Sequence, residues 1–457
     1  TQGFAGRAAY TYADRYIAEF NFGYNGSENF AKGNRFGFFP SIAAGWIVSE
    51  EEFMRPVQNY INKLKLRASY GLAGNDRFYN DDGSQKRFAY ITTIGSTDGY
   101  KWGNSNAFYE KGGLREGDPG VESLTWETVK KANVGIELGL FKMAELQVDF
   151  FHERREDIFM QRKNIPSSAG FPSAPWANYG IVTNKGFDIS LDLNKQINKD
   201  WFISARASVT YAKNKIIEQD EDLGVLGTYR SSTGKPVGQI FGLVNDGLYT
   251  EADFEDVTTG KLKPGLPVPK FSDRVYPGDI KYVDFNGDGE ITETDKTAIG
   301  GTVNPELVYG FGINLSYKNI DFGAFFQGNG RTYRIIGENQ KNFLPGSTIG
   351  AEGNIFTNAS DAWTVDNPSQ DVFYPRLHMG YNANNAQVSD WWLKDMSMLR
   401  LKNVELGYSF SKNLIKKAAM EYARIFVRGT NLLQFSKFDL WDPELNTSNG
   451  LKYPIMA

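Results

Sequence analysis

Cysteine is absent from the 457-residue sequence, and histidine is nearly so, since only His152 and His378 occur. Without cysteine the chain can form no disulfide framework, thiolate zinc site or cysteine nucleophile. Two histidines leave almost no material for a Ser-His-Asp triad or a multi-histidine metal site. We therefore expect both histidines to be structural and the protein not to be an enzyme.

Long hydrophobic runs are also missing. The longest run, SIAAGWIV at 41–48, has about eight residues, whereas a membrane-spanning helix needs roughly 20. The chain opens on TQGFAGRAAYTYADRY, which is already patterned as a strand and not as a signal peptide. The sequence predicts no transmembrane helix, and we expect the true N-terminus to lie upstream.

An excess of basic charge is lacking as well. The chain has 50 Lys and Arg against 54 Asp and Glu, and no basic cluster is interleaved with aromatic residues. Nucleic acid is therefore not expected as a partner. What the chain has instead is 14% aromatic residues and 48 glycines, a composition that favours β-strands joined by many turns.

Alternation of apolar and polar residues with a period of two is the main pattern. Phe187, Ile189 and Leu191, for example, alternate with polar residues, as in a half-apolar strand. Near 396–410 the apolar residues change phase between Leu401 and Val404, which predicts a β-bulge. Twelve strands are predicted, at 3–14, 15–26, 36–48, 63–74, 124–140, 143–154, 180–194, 201–213, 306–317, 320–328, 396–410 and 421–434.

The links between these strands alternate between short and long. The short links are DR, SEEEFMRPVQNYIN, LFK, KQINKD, YKN and SKNLIKKAAM, and the long links run near 75–123, 155–179, 214–305 and 329–395. Short turns on one side and long loops on the other are typical of an outer-membrane β-barrel. A soluble sandwich also alternates, but strands of about ten to fourteen residues with aromatic residues at their ends favour the barrel.

The segment YVDFNGDGEITETD at 282–295 has the spacing of a calcium-binding EF-hand loop. Counted from its first aspartate, positions 1, 3, 5, 7 and 12 are Asp284, Asn286, Asp288, Glu290 through its backbone carbonyl, and Asp295. Aspartate at position 12, in place of glutamate, would require a tighter wrap or a bridging water. The alternative is a Gly-Asp-rich turn that binds no ion. We predict Ca²⁺ here, because Mg²⁺ demands a stricter octahedron.

Five segments of the chain have recognisable sequences. They are KLKLRASYGLAGN at 63–75, YPGDIKYVDFNGDGEITETDKTAIG, NPELVYGFGINLSYKNIDFGAFFQG, WWLKDMSMLRLKNVELGYSF at 391–410 and RIFVRGTNLLQFSKFDLWDPE. These segments resemble the SusC/RagA-like TonB-dependent transporters of the Bacteroidetes outer membrane, and the resemblance covers essentially the whole chain.

This resemblance implies an all-β fold, the C-terminal portion of a transmembrane antiparallel barrel, with about twelve of 22 strands and long extracellular loops. Residues 1–457 would then be one partial barrel domain that lacks the plug, the early strands and, since the chain stops at LKYPIMA, the last strand. The calcium-like loop at 284–295 would lie in an extracellular connection. The location implied is the bacterial outer membrane, in contact with its lipid.

The function that the resemblance implies is TonB-dependent import of a glycan, oligosaccharide or peptide. The implied partners are a SusD-like surface lipoprotein and, through the missing N-terminal part, the TonB complex. A passive pore or surface adhesin on a similar barrel is the alternative. A secreted hydrolase is a third hypothesis, but the acidic run EQDEDL at 218–223 is expected to be a solvated loop and not a catalytic carboxylate pair.

Aromatic residues in the long loops are the candidate ligand contacts. Aromatic rings can stack on sugar rings, although the same residues often pack long loops against one another. The candidates are Trp102, Trp176, Tyr179, Trp363 and Trp441.

Overall fold

The computed structural model describes residues 2–80, 83–104, 107–171, 173–336, 357–411, 416 and 420–445. The chain divides into two compact units. The first comprises Thr1–Lys195, Thr210–Leu226 and Thr233–Lys235, and the second comprises Gln196–Val209, Gly227–Ser232 and Pro236–Ala457. In the part of the chain that the structure describes, no helix is long and apolar enough to cross a membrane.

Twelve long strands pair in chain order and antiparallel to form one sheet. They are β1 (Gln2–Tyr12), β2 (Tyr16–Gly26), β3 (Phe36–Ile47), β4 (Ile61–Asn75), β5 (Glu127–Leu140), β6 (Ala144–Gln161), β7 (Trp176–Gln196), β8 (Trp201–Glu218), β9 (Leu307–Tyr317), β10 (Ile320–Gly330), β11 (Met398–Ser409) and β12 (Arg424–Ser436). The first unit holds β1 to β7 and the C-terminal half of β8, and the second holds the N-terminal half of β8 and β9 to β12. The predictions of an all-β fold and of twelve strands are confirmed.

The connections contain further strands and 3₁₀ helices. Two of these strands, Ile94–Asn104 and Ala107–Glu116, are long and pair with each other outside the twelve-stranded sheet. The short strands are Phe78–Tyr79, Gln85–Lys86, Gln239–Gly242, Asn245–Leu248, Phe254–Asp256, Lys261–Leu262, Val268–Pro269, Ile280–Tyr282, Glu290–Ile291, Thr297–Thr302, Tyr333–Ile335 and Leu393–Asp395. The 3₁₀ helices are Val48–Glu50, Glu52–Val57, Ser167–Ala169, Glu251–Asp253, Glu293–Asp295 and Thr357–Ser360.

The strand register of the first unit aligns apolar residues into rows across the sheet. Leu66 on β4 lies opposite Ile136 on β5, which lies opposite Val148 on β6, and Val148 lies opposite Ile189 on β7. Side chains of successive residues point to opposite faces of a strand, so the rows above and below this one share its face. None of these four side chains is buried. We call this side of the sheet the apolar face.

The opposite face of the same strands carries paired charges. The Glu137 carboxylate lies 3.0 Å from Lys63 Nζ and 3.4 Å from Lys65 Nζ. The Arg67 guanidinium lies 2.6 Å from the Asp149 carboxylate. Glu137 and its two lysines lie on neighbouring strands, and such opposite charges stabilise the pairing of those strands, whereas the Arg67–Asp149 pair spans from β4 to β6 across Gly135 of β5. This polar face is therefore internally compensated in charge.

The predicted β-bulge in β11 is confirmed. Phe325 of β10 pairs with Asn403, whereas the next residue, Phe326, pairs with Leu401, so Lys402 is the extra residue. The bulge changes which residues face each side, and this explains the change of phase in the sequence.

Three strands extend four residues or more beyond the ends that the alternation predicted. β6 runs to Gln161 instead of 154, β7 begins at Trp176 instead of 180, and β8 runs to Glu218 instead of 213. In the extensions of β6 and β8 the positions that continue the apolar face become charged, as at Glu156 and Lys215. The sequence pattern therefore ends, while the backbone pairing continues.

The connections have hydrophobic cores of their own. In the first unit the core is Phe30, Phe78, Ala89, Leu124, Trp126 and Phe159, and the Phe78 and Phe159 rings stack at 3.9 Å. The larger core of the second unit is built around Leu243, Ile280, Ile291, Tyr374 and Trp392. The long loops are therefore packed structures and not only connections.

The acidic run at 218–223 is not a solvated loop throughout, so that expectation was wrong. Asp220 and Glu221 are buried, because they bind neighbouring chain segments. Asp220 Oδ2 accepts hydrogen bonds from Arg162 Nε at 2.7 Å and from the Lys163 backbone amide at 2.8 Å. Burial raises the pKa of Asp220, but these donors and Asn164 outweigh burial and lower it to about 2.

Exchange of Ile189 for arginine tests the apolar face. If that face meets lipid, Ile189→Arg should cost about 2–4 kcal/mol of folding free energy near the bilayer midplane. The neighbouring Ser190 lies on the polar face, so Ser190→Arg should be tolerated far better. Folding into lipid vesicles, followed by heat-resistant mobility on a gel, measures both variants. Equal tolerance on the two faces would contradict the assignment.

The Asp220 contacts predict a pH dependence of the loop that begins at Arg162. Because the pKa is about 2 when folded and 3.8 in the reference state, the contacts contribute fully above about pH 4 and are lost as the pH falls toward 2. The contribution is about 2 kcal/mol. Hydrogen exchange of residues 162–164, corrected for intrinsic rates, should rise over that interval, and Asp220→Asn should raise it already at pH 7. The exposed Asp222→Asn is the matched control and should change nothing.

Candidate functional site

The calcium-like loop is anchored to the core of the second unit. It lies in the connection between β8 and β9, where Glu290–Ile291 pairs in parallel with Val268–Pro269. The Ile291 side chain is fully buried in the core. The loop is therefore held at its centre, while residues 285–290 stay exposed.

Asp284 is fixed by backbone amides. Its two carboxylate oxygens accept hydrogen bonds from Gly287 at 2.7 Å and from Gly289 at 2.8 Å. Both glycines have positive φ, +74° and +82°, a conformation that side chains with a Cβ rarely adopt. Partial burial raises the pKa of Asp284, but the amides of Gly289 and Gly287 outweigh it and lower that pKa. The carboxylate is therefore ionised and oriented.

Asn286 and Asp288 form the exposed part of the loop. Asn286 Nδ2 donates to Asp288 Oδ2 at 2.8 Å, and Asn286 Oδ1 accepts from the Asp288 amide at 2.9 Å. The Glu290 amide donates to Asp288 Oδ1 at 2.8 Å, and the Glu290 carboxylate lies 2.9 Å from Lys270 Nζ. The Glu290 side chain is thus directed to an ion pair, which leaves its backbone carbonyl as the predicted ligand.

Asp295 closes the loop from inside. It is fully buried, and its two oxygens accept from the Phe285 amide at 3.0 Å and from the Thr292 amide at 2.8 Å. Tyr229 covers this side, since its hydroxyl donates to the Thr294 carbonyl at 2.7 Å. Burial, followed by the Asp295 charge, raises the pKa of Tyr229. A buried carboxylate thus ties the start of the loop to its end.

The five predicted ligands lie in one loop, but their carboxylate oxygens are not gathered around a common cation position. Among the described residues, no three His, Asp or Glu side chains are gathered into a metal-binding cluster. The carboxylates of Asp284, Asp288 and Asp295 would have to move closer together to bind a cation.

Two of the candidate ligand aromatics are buried in the core of the second unit. Trp363 is 6% exposed and Trp441 is 4% exposed. Trp441 packs edge-on against Phe438 at 4.8 Å, and Trp363 covers Gly278 so closely that a Cβ there would meet its ring. Both indole rings are therefore used in packing.

Trp176 and Tyr179 are half-buried on β7. Trp176 stacks on Phe159 at 4.6 Å, with Lys86 Nζ 5.0 Å above its ring. The Arg162 guanidinium lies 4.5 Å above the Tyr179 ring. Both aromatic side chains are therefore used in packing contacts between segments of the first unit.

Trp102 is the candidate that remains exposed. It lies on a hairpin of Ile94–Asn104 and Ala107–Glu116, and 46% of its surface is accessible. Its ring stacks with Tyr100 at 5.9 Å and with Tyr109 at 5.4 Å. The three rings form an exposed aromatic row, and sequence reasoning found one of its three members.

A buried polar network at His378 was also missed by sequence reasoning. Asp279 is fully buried, and its Oδ1 lies 2.5 Å from His378 Nε2 and accepts from Asn385 Nδ2 at 2.8 Å. His378 is thus structural, as expected. His152 departs from that expectation, because it is exposed on β6 opposite Lys185.

Comparison with known proteins gives similarity over nearly the whole chain. TonB-dependent receptor P26 of Formosa agariphila is 31% identical over 456 residues, which cover 96% of this chain and 42% of the receptor. TonB-dependent receptor SusC of Bacteroides thetaiotaomicron is 25% identical over 97% of this chain and 41% of SusC. The chain thus spans about two fifths of the length of these relatives. No family model matches the sequence.

Comparison with solved structures shows the same fold. The RagAB peptide transporter superposes with a TM-score of 0.70 at 23% identity, over 98% of this chain and 45% of the matched chain. Its open-open state gives a TM-score of 0.71 at 24% identity. The predicted barrel fold and outer-membrane location are confirmed, and none of these relatives is an enzyme. The chain is therefore a SusC/RagA-like TonB-dependent transporter sequence that spans about two fifths of such a protein.

Proposed function

We propose that the chain is part of a transporter that imports a nutrient across the outer membrane with energy supplied through TonB. The observation that carries this proposal is the similarity of 96% of the chain to a TonB-dependent receptor. The proposed partners are a SusD-like surface lipoprotein and, through a part of the protein outside this chain, the TonB complex. A passive pore or surface adhesin on a similar barrel is the competing function.

The proposed substrate is a glycan, oligosaccharide or peptide. The peptide is supported by the fold shared with the RagAB peptide importer, and the glycan by the similarity to SusC and by the exposed aromatic row. Flat aromatic faces bind the apolar faces of sugar rings, and stacked aromatic contacts contribute about 0.5–1.5 kcal/mol each. Of the five candidate residues, Trp102 is the one for which the structure supports a ligand contact.

Uptake by cells that carry the full-length gene tests the function. Accumulation of a labelled oligosaccharide or peptide should stop when a protonophore collapses the proton gradient or when TonB is deleted. Trp102→Ala should lower oligosaccharide binding up to about tenfold, because it removes the central ring of the row. Phe141→Ala, which removes an exposed ring from the short β5–β6 turn, is the matched control and should leave binding unchanged.

Each result distinguishes the competing functions. Uptake that persists without the gradient would identify a passive pore, and surface attachment without uptake would identify an adhesin. Co-purification of a surface lipoprotein with the tagged transporter would support the proposed SusD-like partner, and a tagged transporter that binds substrate without a lipoprotein would contradict it.

We propose in addition that the loop at 284–295 binds Ca²⁺. Support comes from the ionised, oriented Asp284, from the exposed oxygens of Asn286 and Asp288, and from the closure by Asp295. Ca²⁺ accepts six to eight oxygens in flexible geometry, so it tolerates an aspartate at position 12 better than Mg²⁺ does. A bound ion would offset the repulsion between carboxylates that have to converge.

Calorimetric titration of the full-length protein tests the calcium site. Ca²⁺ should bind and raise the unfolding temperature, with Mg²⁺ weaker, and Asp284→Asn should weaken Ca²⁺ binding by about tenfold or more, since one charged ligand is lost. Glu293→Gln is the matched control, because Glu293 is an exposed acid of the same loop that is paired with Lys296. If millimolar Ca²⁺ produces neither heat nor stabilisation, the loop is a turn that binds no ion.

A further inference from the structure

A cluster of basic side chains continues the apolar face of the first unit beyond its apolar rows. The last apolar row holds Val134, Phe150 and Phe187, which lie opposite one another on β5, β6 and β7. Two residues further along each strand, toward the long loops, the same face carries His152 opposite Lys185. On β6 and β7 the face therefore changes from apolar to basic within two residues of each strand.

The next row is basic as well. Lys130 on β5 lies opposite Arg154 on β6. Arg154 lies opposite Thr183 on β7, and the Thr183 hydroxyl is 3.4 Å from the Lys215 carbonyl of β8. We call Lys130, Arg154, Lys185, Lys213 and Lys215 the basic collar.

Lys213 belongs to the collar by the register of β8. The Phe187 and Tyr211 rings are 5.7 Å apart, so the two strands lie side by side at these residues. One step further in antiparallel strands, Lys213 comes beside Lys185. Both side chains are exposed, as is that of Lys215.

The collar has little internal compensation. Glu156, one row further on, lies 2.5 Å from Lys130 and 2.6 Å from Arg154. Among the described residues no ion pair is formed by Lys185, Lys213 or Lys215. The lysines of the polar face, in contrast, have carboxylate partners, as Lys131 has in Glu153 at 3.0 Å.

The collar is also local. In the same two register rows, β2 and β3 carry Phe20 opposite Ile42 and Phe22 opposite Pro40, with no charged residue. On β5 to β8 these two rows instead hold His152 and the five basic side chains of the collar, beside Ala132 and Thr183. This sector is therefore suited to a ligand that β2 and β3 do not bind.

From this geometry we infer that the basic collar binds the phosphorylated head group of an outer-leaflet lipid. The apolar rows directly below it would contact acyl chains, and long lysine side chains can extend upward to a head group. Unpaired ammonium groups are strong donors to phosphate oxygens. A soluble anion would gain nothing from the apolar rows, whereas a lipid matches both levels. The inference depends on the outer-membrane location and not on which nutrient is transported.

Thermal unfolding of the full-length protein in vesicles tests the inference. Phosphatidylcholine vesicles with lipid A should raise the unfolding temperature over phosphatidylcholine alone, and native mass spectrometry should detect retained lipid A. The triple variant Lys185→Gln/Lys213→Gln/Lys215→Gln should lose most of that rise and bind lipid A roughly 10- to 100-fold more weakly. In phosphatidylcholine alone it should unfold like the wild type, since the three side chains are exposed.

The matched control removes the same charge from the short-turn ends of the strands. Lys142→Gln/Lys195→Gln/Lys199→Gln changes three exposed lysines there and should keep the response to lipid A. An equal loss in both triple variants would show a general charge effect and overturn the site. So would a wild type that does not respond to lipid A. If inorganic phosphate produced the same rise in phosphatidylcholine alone, the ligand would be a soluble anion and not a lipid.

Discussion

The two-residue period of paired strands is the constraint on which the rest of the structure depends. Because successive side chains point to opposite faces, register decides whether a residue meets the apolar face or the polar one. A slip of one residue would bring Glu137 into the row of Ile136 and remove it from Lys63 and Lys65. The apolar rows and the ion pairs of the polar face therefore favour the same register, because a slip would disrupt both.

A second consequence concerns where the core lies. Since the strands direct their apolar side chains outward, most of the buried apolar residues lie in the connections. Trp392, Tyr374 and Ile280 are fully buried there. Such a core must also satisfy buried polar groups, and Asp279 does so through His378 and Asn385. The calcium-like loop is attached to this core through Ile291, so ion binding would act on a loop whose position is already fixed.

Sequence reasoning found what depends on local periodicity and missed what depends on distant partners. All twelve strands and the bulge in β11 could be read from alternation, because register and face are periodic properties. The ends of β6 and β8 could not, since the positions of the apolar face became charged while pairing continued. Asp220 was misjudged for another reason: its partner Arg162 is 58 residues away and no local pattern announces it. The tryptophans follow the same rule, because only tertiary packing separates the buried Trp363 from the exposed Trp102.

The end of the apolar face on β8 connects the membrane with the basic collar. Tyr211 is the last aromatic residue on this strand, and aromatic residues flank the apolar band of an outer-membrane barrel at its water interfaces. Tyr211 thus marks the edge of the band on the side of the long loops. Lys213 and Lys215 follow immediately beyond this edge, where an unpaired charge on this face first leaves the hydrocarbon. The position of the lysines is therefore set by the membrane, whereas their clustering on neighbouring strands is not required by it.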